Sequence, residues 1–225
     1  MTHALGSEQV RQPEMAALAC EAEARLRAST YSILAAFLAA PPDQQLLDLM
    51  ARIDRSEGAT DTLLGAAWHM LSVAAERANL ADIDDEYHAL FIGVGRGELV
   101  PYGSWYMTGF LMEQPLAQLR DDLAAMGLER QDGVKEPEDH AAGLCDVMSI
   151  FNTEGEVVAL DLQRQFFKTH MLPWMPRFFR DLQQAKAASF YRAVGQLGEQ
   201  FIEVEKEFLG DSAPETGRST EEGMV

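Results

Sequence analysis

Asp139 and His140 set an acid directly beside a base, within the run Glu136-Pro137-Glu138-Asp139-His140. Such a pair orients an imidazole for general acid–base work. The same run also suits the first turn of a helix, where proline is tolerated and acids complement the macrodipole. Capping alone does not call for His140, and no nucleophile accompanies it, so polar anchoring ranks above catalysis. Ser104 sits in Tyr-Gly-Ser-Trp-Tyr without the second glycine of a nucleophile elbow. None of His3, His69, His88, His140 and His170 follows a glutamate by three residues, as a di-iron helix pair requires. Cysteines and histidines are not clustered as zinc ligands are. The run from Gly93 to Gly97 is half of a dinucleotide loop, but it follows a helical segment, and no lysine directly follows a glycine as in a Walker loop. The expectation is no catalytic residue, no metal and no cofactor.

A second constellation is aromatic. Glu86-Tyr87-His88-Ala89-Leu90-Phe91 is followed, after a glycine-rich stretch, by Pro101-Tyr102-Gly103-Ser104-Trp105-Tyr106. Tyr87, Leu90 and Phe91 share one helix face and read as core. Tyr102, Trp105 and Tyr106 follow a loop, and Tyr and Trp favour places where one end is apolar and the other wet, as at a binding surface.

The elements that must position these residues are helical. Apolar residues recur at helical spacing along most of the chain and nowhere alternate convincingly as in a strand. A first helix is predicted over residues 13–40 with Leu26, Ile33, Leu34 and Phe37 inward, ended by Pro41-Pro42. Others are predicted over 44–53, after Thr60-Asp61 (Leu64, Ala67, Leu71, Ala74 and Ala78 as one stripe) and over 82–91. Glycines and Pro101 make 93–103 a loop. A short ordered piece at 104–111 precedes a helix with Pro115 in its first turn, which runs through Leu116, Leu119, Leu123 and Met126 and stops at Gly127. A polar link over 129–135 leads to helices near 137–151 and 157–171, then to a kink where Pro173 and Pro176 bracket Trp174. In the last helix Phe190, Val194, Leu197, Phe201, Val204 and Phe208 alternate spacings of four and three, the pattern of a buried seam. The expected fold is all-α: a single-domain bundle of roughly eight or nine helices. It occupies residues 13–210, between a flexible N-terminus (1–12) and a disordered tail (211–225).

Charge narrows the class of partner. Asp and Glu number 36 against 18 Lys and Arg, a formal net charge of −18. Such a field repels nucleic acid and anionic lipid and attracts a basic segment. Cys20 and Cys145 stand far apart with no C-x-x-C pair, as in a reducing compartment. Without an apolar leader or a membrane-length apolar run, the expectation is a cytoplasmic protein with no stable membrane insertion.

Taken in order, Glu86-Tyr87-x-x-Leu90-Phe91, Pro101-Tyr102-x-Ser104-x-Tyr106, Glu136-Pro137-x-Asp139-His140 and Phe166-x-x-x-His170 leading into Trp174 resemble the TorD/DmsD family, related to the NarJ group, of maturation chaperones for bacterial molybdenum redox enzymes. The likeness runs from about Leu26 to Phe208. It implies an all-helical protein that binds the twin-arginine signal peptide, and the apo form, of a molybdenum-cofactor oxidoreductase, and delays export until the cofactor is inserted. It also implies peptide-binding roles for Leu90, Phe91, Pro101, Tyr102, Tyr106, Asp139 and His140, and it leaves a homodimer open. Some relatives carry Trp where this chain has Tyr102 or Tyr106. The residues alone keep two other readings: a hydrolase or nucleotide-dependent enzyme using Asp139-His140, and an acidic assembly factor that docks a basic subunit without reading a signal peptide.

Overall fold

Side-chain caps start the early helices. Asp43, Thr62 and Asn79 each take extended backbone and accept hydrogen bonds from the first free N–H groups of the helix that follows. The computed structural model describes residues 6–53, 60–93, 96–130, 133, 135–153 and 157–210. Among these it has ten α-helices and no strand: α1 (Gly6–Ala39), α2 (Gln44–Ala51), α3 (Leu63–Glu76), α4 (Leu80–Tyr87), α5 (Gly103–Thr108), α6 (Gln114–Ala125), α7 (Ala141–Phe151), α8 (Leu160–Phe166), α9 (Met175–Gln184) and α10 (Tyr191–Phe208). Helix α4 runs on into a π turn at His88–Ile92, and α8 into another at Phe167–Met171. The all-α class holds, with α9 added where the prolines point only to a kink. Pro176 falls in the first turn of α9, a position that tolerates proline. The expected tail (211–225) and residues 1–5 of the expected flexible start lie outside the described residues, while α1 takes in residues 6–12.

Helix α10 is the centre of the packing, against α9, α3 and α1, while α7 lies along α1. Val194, Leu197 and Phe201 are buried as the seam predicts, but Val204 and Phe208 are partly exposed. A straight α-helix drifts against a 3.5-residue seam, so the inner face moves to Ile202, Glu205 and Leu209 in the last turns. Helices α9 and α10 cross closely: a Cβ on Gly198 would come 2.2 Å from the Phe179 ring. Leu26, expected inward, is 70% exposed. Its neighbour Arg27 takes the inner position, with Nε 2.6 Å from Glu205 Oε1, Nη2 2.7 Å from Oε2 and Nη1 2.7 Å from Asn152 Oδ1. The Tyr31 hydroxyl donates to the same carboxylate at 2.8 Å, and burial followed by that carboxylate drives its pKa up. This buried cluster ties α1, α7 and α10 together.

Candidate functional site

Between the first π turn and α5, Gly93 and residues 96–102 form a strap folded back on the helix that precedes them. Gly93 turns it with φ +57. A Cβ on Gly97 would lie 2.4 Å from the Leu90 carbonyl oxygen, so only glycine passes there. Glu98 N–H and Leu99 N–H then donate to the carbonyls of Ala89 and Leu90. Val94 and Gly95 lie outside the described residues.

Two glutamates lock this region to the junction between α9 and α10. Glu86 accepts three backbone N–H groups, from Ser189, Phe190 and Tyr191, at 2.8, 3.0 and 2.7 Å. It holds the start of α10. Glu98 accepts from Lys186 and Ala187 N–H, and those two bonds keep its carboxyl below the usual carboxylate range. The glutamate in Glu-Tyr-x-x-Leu-Phe is thus an architectural residue. Leu90 is fully buried, and Phe91 packs edge-on against Tyr87 and Tyr191.

Pro101, Tyr102, Asp139 and His140 meet where the strap joins the start of α7. Tyr102 and His140 form an isolated antiparallel bridge, Ala141 N–H donates to the buried Pro101 carbonyl, and the Tyr102 ring stands edge-on to the imidazole at 4.9 Å. Asp139 and His140 divide the capping between two helices. His140 Nδ1 accepts from Ala142 N–H and caps α7. Asp139 works across the chain on α5: its carbonyl accepts from Gly103 N–H at 2.9 Å, and its Oδ2 accepts from Ser104 N–H at 2.8 Å. Asp139 is 3% exposed, yet its Oδ1 has no hydrogen-bond partner, and neither has the buried Ser104 hydroxyl. His140 is 9% exposed, and burial lowers its pKa, with Glu136 and Asp139 pulling the other way. Ser104 and His140 are not hydrogen-bonded to each other, so they lack the nucleophile–base geometry of a hydrolase.

The Tyr102 hydroxyl donates to Glu136, and burial, then that carboxylate, raises its pKa. Tyr106 lies a turn along α5 and points to a different neighbour. Its hydroxyl donates to Asp181 Oδ2 at 3.1 Å, and its ring meets Trp174 and Phe178 of the α9 region. Trp174 in turn donates from Nε1 to the His170 carbonyl at 2.7 Å, and a Cβ on Gly103 would come 3.0 Å from that nitrogen.

Beneath Gly103 and Asp139 opens a cleft of about 40 Å³ bordered by Gln114, Gln118, Thr169 and His170. His170 Nε2 pairs with Asp122 Oδ2 at 2.7 Å; burial lowers the histidine's pKa against that partner's pull. Beside the cleft, Met107, Phe110, Leu111 and Met112 make an exposed apolar tip. Sequence reading missed Asp122, Asp181 and Glu98 as partners, since each acts on residues dozens of positions away. Among the described residues no group of three or more His, Cys, Asp or Glu gathers as a metal site, and no helix is long and apolar enough to cross a membrane.

Comparison with known proteins agrees with this architecture. Over 136 residues the chain is 32% identical to the chaperone protein TorD of Vibrio cholerae serotype O1, covering 56% of this chain and 62% of the relative. It is 28% identical over 129 residues to a Haemophilus influenzae protein named "Probable Tat proofreading chaperone DmsD", with the same coverage of each. The chain therefore spans less than two thirds of the length of these curated relatives. The crystal structure of a protein from Archaeoglobus fulgidus named "Putative Redox Enzyme Maturation Protein" shares the fold, with a TM-score of 0.54 at 17% identity over 79% of this chain and 94% of that one. Residues 57–180, more than half of the chain, match the nitrate reductase delta subunit family, and the chain belongs to that family, alongside the TorD and DmsD chaperones.

Proposed function

We propose that this protein is a redox-enzyme maturation chaperone that binds the twin-arginine signal peptide of a molybdenum-cofactor oxidoreductase and delays its export until the cofactor is in place. One observation carries the reading beyond family membership: a buried carboxylate oxygen, Asp139 Oδ1, without a partner, on a residue that lines an open cleft. A buried acceptor left unpaired is costly, and a guanidinium offers the charge-assisted bond that relieves it. Glu136 and the Tyr102 hydroxyl stand at the same junction, and the net charge of −18 favours a basic ligand.

Leu90 anchors the strap through its carbonyl, Phe91 packs on Tyr87 and Tyr191, Pro101 accepts from the start of α7, His140 sets Tyr102 against α7, and Tyr106 braces α5 on α9. Calorimetric titration with a twin-arginine peptide tests the proposal. Asp139→Asn keeps an acceptor for Ser104 N–H while removing the charge. Loss of peptide affinity at unchanged or higher melting temperature supports the reading; unchanged affinity removes Asp139 from the site.

A further inference from the structure

We propose that the groove between α6, α7 and α8 seats the apolar stretch of the peptide whose basic end is held at Asp139, so that cleft and groove are one continuous site jointed at His170. The inference rests on the leader-binding reading above and adds where the rest of the leader lies. The groove has a volume of about 670 Å³ and is walled chiefly by Ala125, Met126, Leu128, Ile150, Leu162 and Phe166. That volume lies within the roughly 300–1,000 Å³ of pockets that bury a ligand, enough for several side chains of a peptide and too little for a folded domain. Ile150 and Leu162, both in its lining, are 54% and 46% exposed, an apolar trough left uncovered among the described residues of a highly charged molecule.

Two features identify the occupant. The first is continuity. His170 lines both the groove and the cleft that Asp139 and Gly103 border, so the two adjoin across a single shared side chain. The second is charge. Asp122, bonded to His170, lies in the groove wall. Asp146 is exposed one helical turn before Ile150 on the same face of α7. An apolar trough with acids at its margin suits a peptide that is basic at one end and aliphatic beyond it. A second copy of this chain suits it poorly, because two bodies of net charge −18 repel. The exposed tip at Phe110–Met112 is a turn without a trough and serves as the control surface.

The test uses the full chain and two synthetic peptides. One bears two consecutive arginines followed by a leucine–alanine stretch; the other ends after the arginines. Leu162→Asn and Ile150→Asn each weaken the longer peptide by about tenfold or more, the scale of one aliphatic side chain left unburied. Both leave the shorter peptide's affinity unchanged. Hydrogen exchange on the wild-type chain gives a measure that needs no variant: the longer peptide slows exchange in α8 and the shorter one does not. Equal affinity of both groove variants for the longer peptide, loss in Phe110→Ser instead, unprotected α8 amides, or a change of oligomeric state in the groove variants overturns the inference while leader binding stands. Failure of the wild-type chain to prefer the longer peptide over a version with glutamines for both arginines overturns the leader-binding reading itself.

Discussion

At the scale of single residues, carboxylates do most of the structural work in this site. Glu86 satisfies three backbone N–H groups at the start of α10, where unpaired donors and the helix dipole both favour an anion. Glu86→Gln keeps the shape but loses the charge and turns one acceptor into a donor facing N–H groups. It is expected to destabilise the fold by about 1–3 kcal/mol, read as a lower urea midpoint at unchanged slope. His140 gives the site a pH dependence. Its folded pKa lies below the ordinary value of 6.5 because it is buried, so between the two values the unfolded chain binds the extra proton. Stability is therefore full above about pH 6.5 and falls as the pH drops toward the depressed value, by at most about 1.4 kcal/mol per pH unit for each such group. His170, also lowered by burial, adds to the same window. Melting temperatures between neutral and mildly acidic pH fall less steeply in His140→Asn, where Asn still caps α7, than in the wild-type chain. Parallel slopes would show that His140 does not titrate in this range.

At the scale of elements, α1, α7 and α10 are held together by a pair that hydrophobic periodicity cannot reveal. Arg27 and Glu205 are 178 positions apart and bonded through two oxygens in the core. Arg27→Met leaves a buried anion with its countercharge gone and is expected to cost about 3–5 kcal/mol in denaturant unfolding, whereas Arg27→Met with Glu205→Leu recovers most of that loss. Additive losses would show that the ion pair carries no coupling. This pair also explains what was legible in the sequence and what was not. The stripe Ala67–Leu71, the stop at Gly127 and the first two-thirds of the α10 seam followed from local periodicity and glycine chemistry, and the structure has them. Apolar spacing points Leu26 inward because it carries no information about the distant charge partner of Arg27, and it points Val204 inward because a strict seam ignores the drift of a straight helix. Helix α9 escapes the sequence because Pro173 and Pro176 mark a break in general, although Pro176 is harmless in a first turn. In the site, Asp139 and His140 were found by type, yet their split into caps for α5 and α7 depends on a contact across 35 residues.

At the scale of the whole molecule, a net charge of −18 acts at distances where individual contacts do not. Exposed ion pairs contribute about 0–1 kcal/mol each, whereas apolar burial gives roughly 25 cal/mol per Å², so in the proposed function the field steers a basic peptide and the cleft and groove retain it. Stopped-flow measurements at two ionic strengths are expected to show association slowing strongly with salt while dissociation changes little. Dissociation accelerating as much as association slows would instead place the holding energy in ion pairs. The central claim is that a basic, apolar leader is bound through the unpartnered Oδ1 of the Asp139 carboxylate. Its most direct test is calorimetric titration of the wild-type chain and of Asp139→Asn with the same twin-arginine peptide, alongside their thermal melts. The account predicts saturable binding to the wild-type chain and at least about tenfold weaker binding to Asp139→Asn, with a melting temperature equal or higher. Equal affinity for the two proteins, or no binding to either, would contradict it.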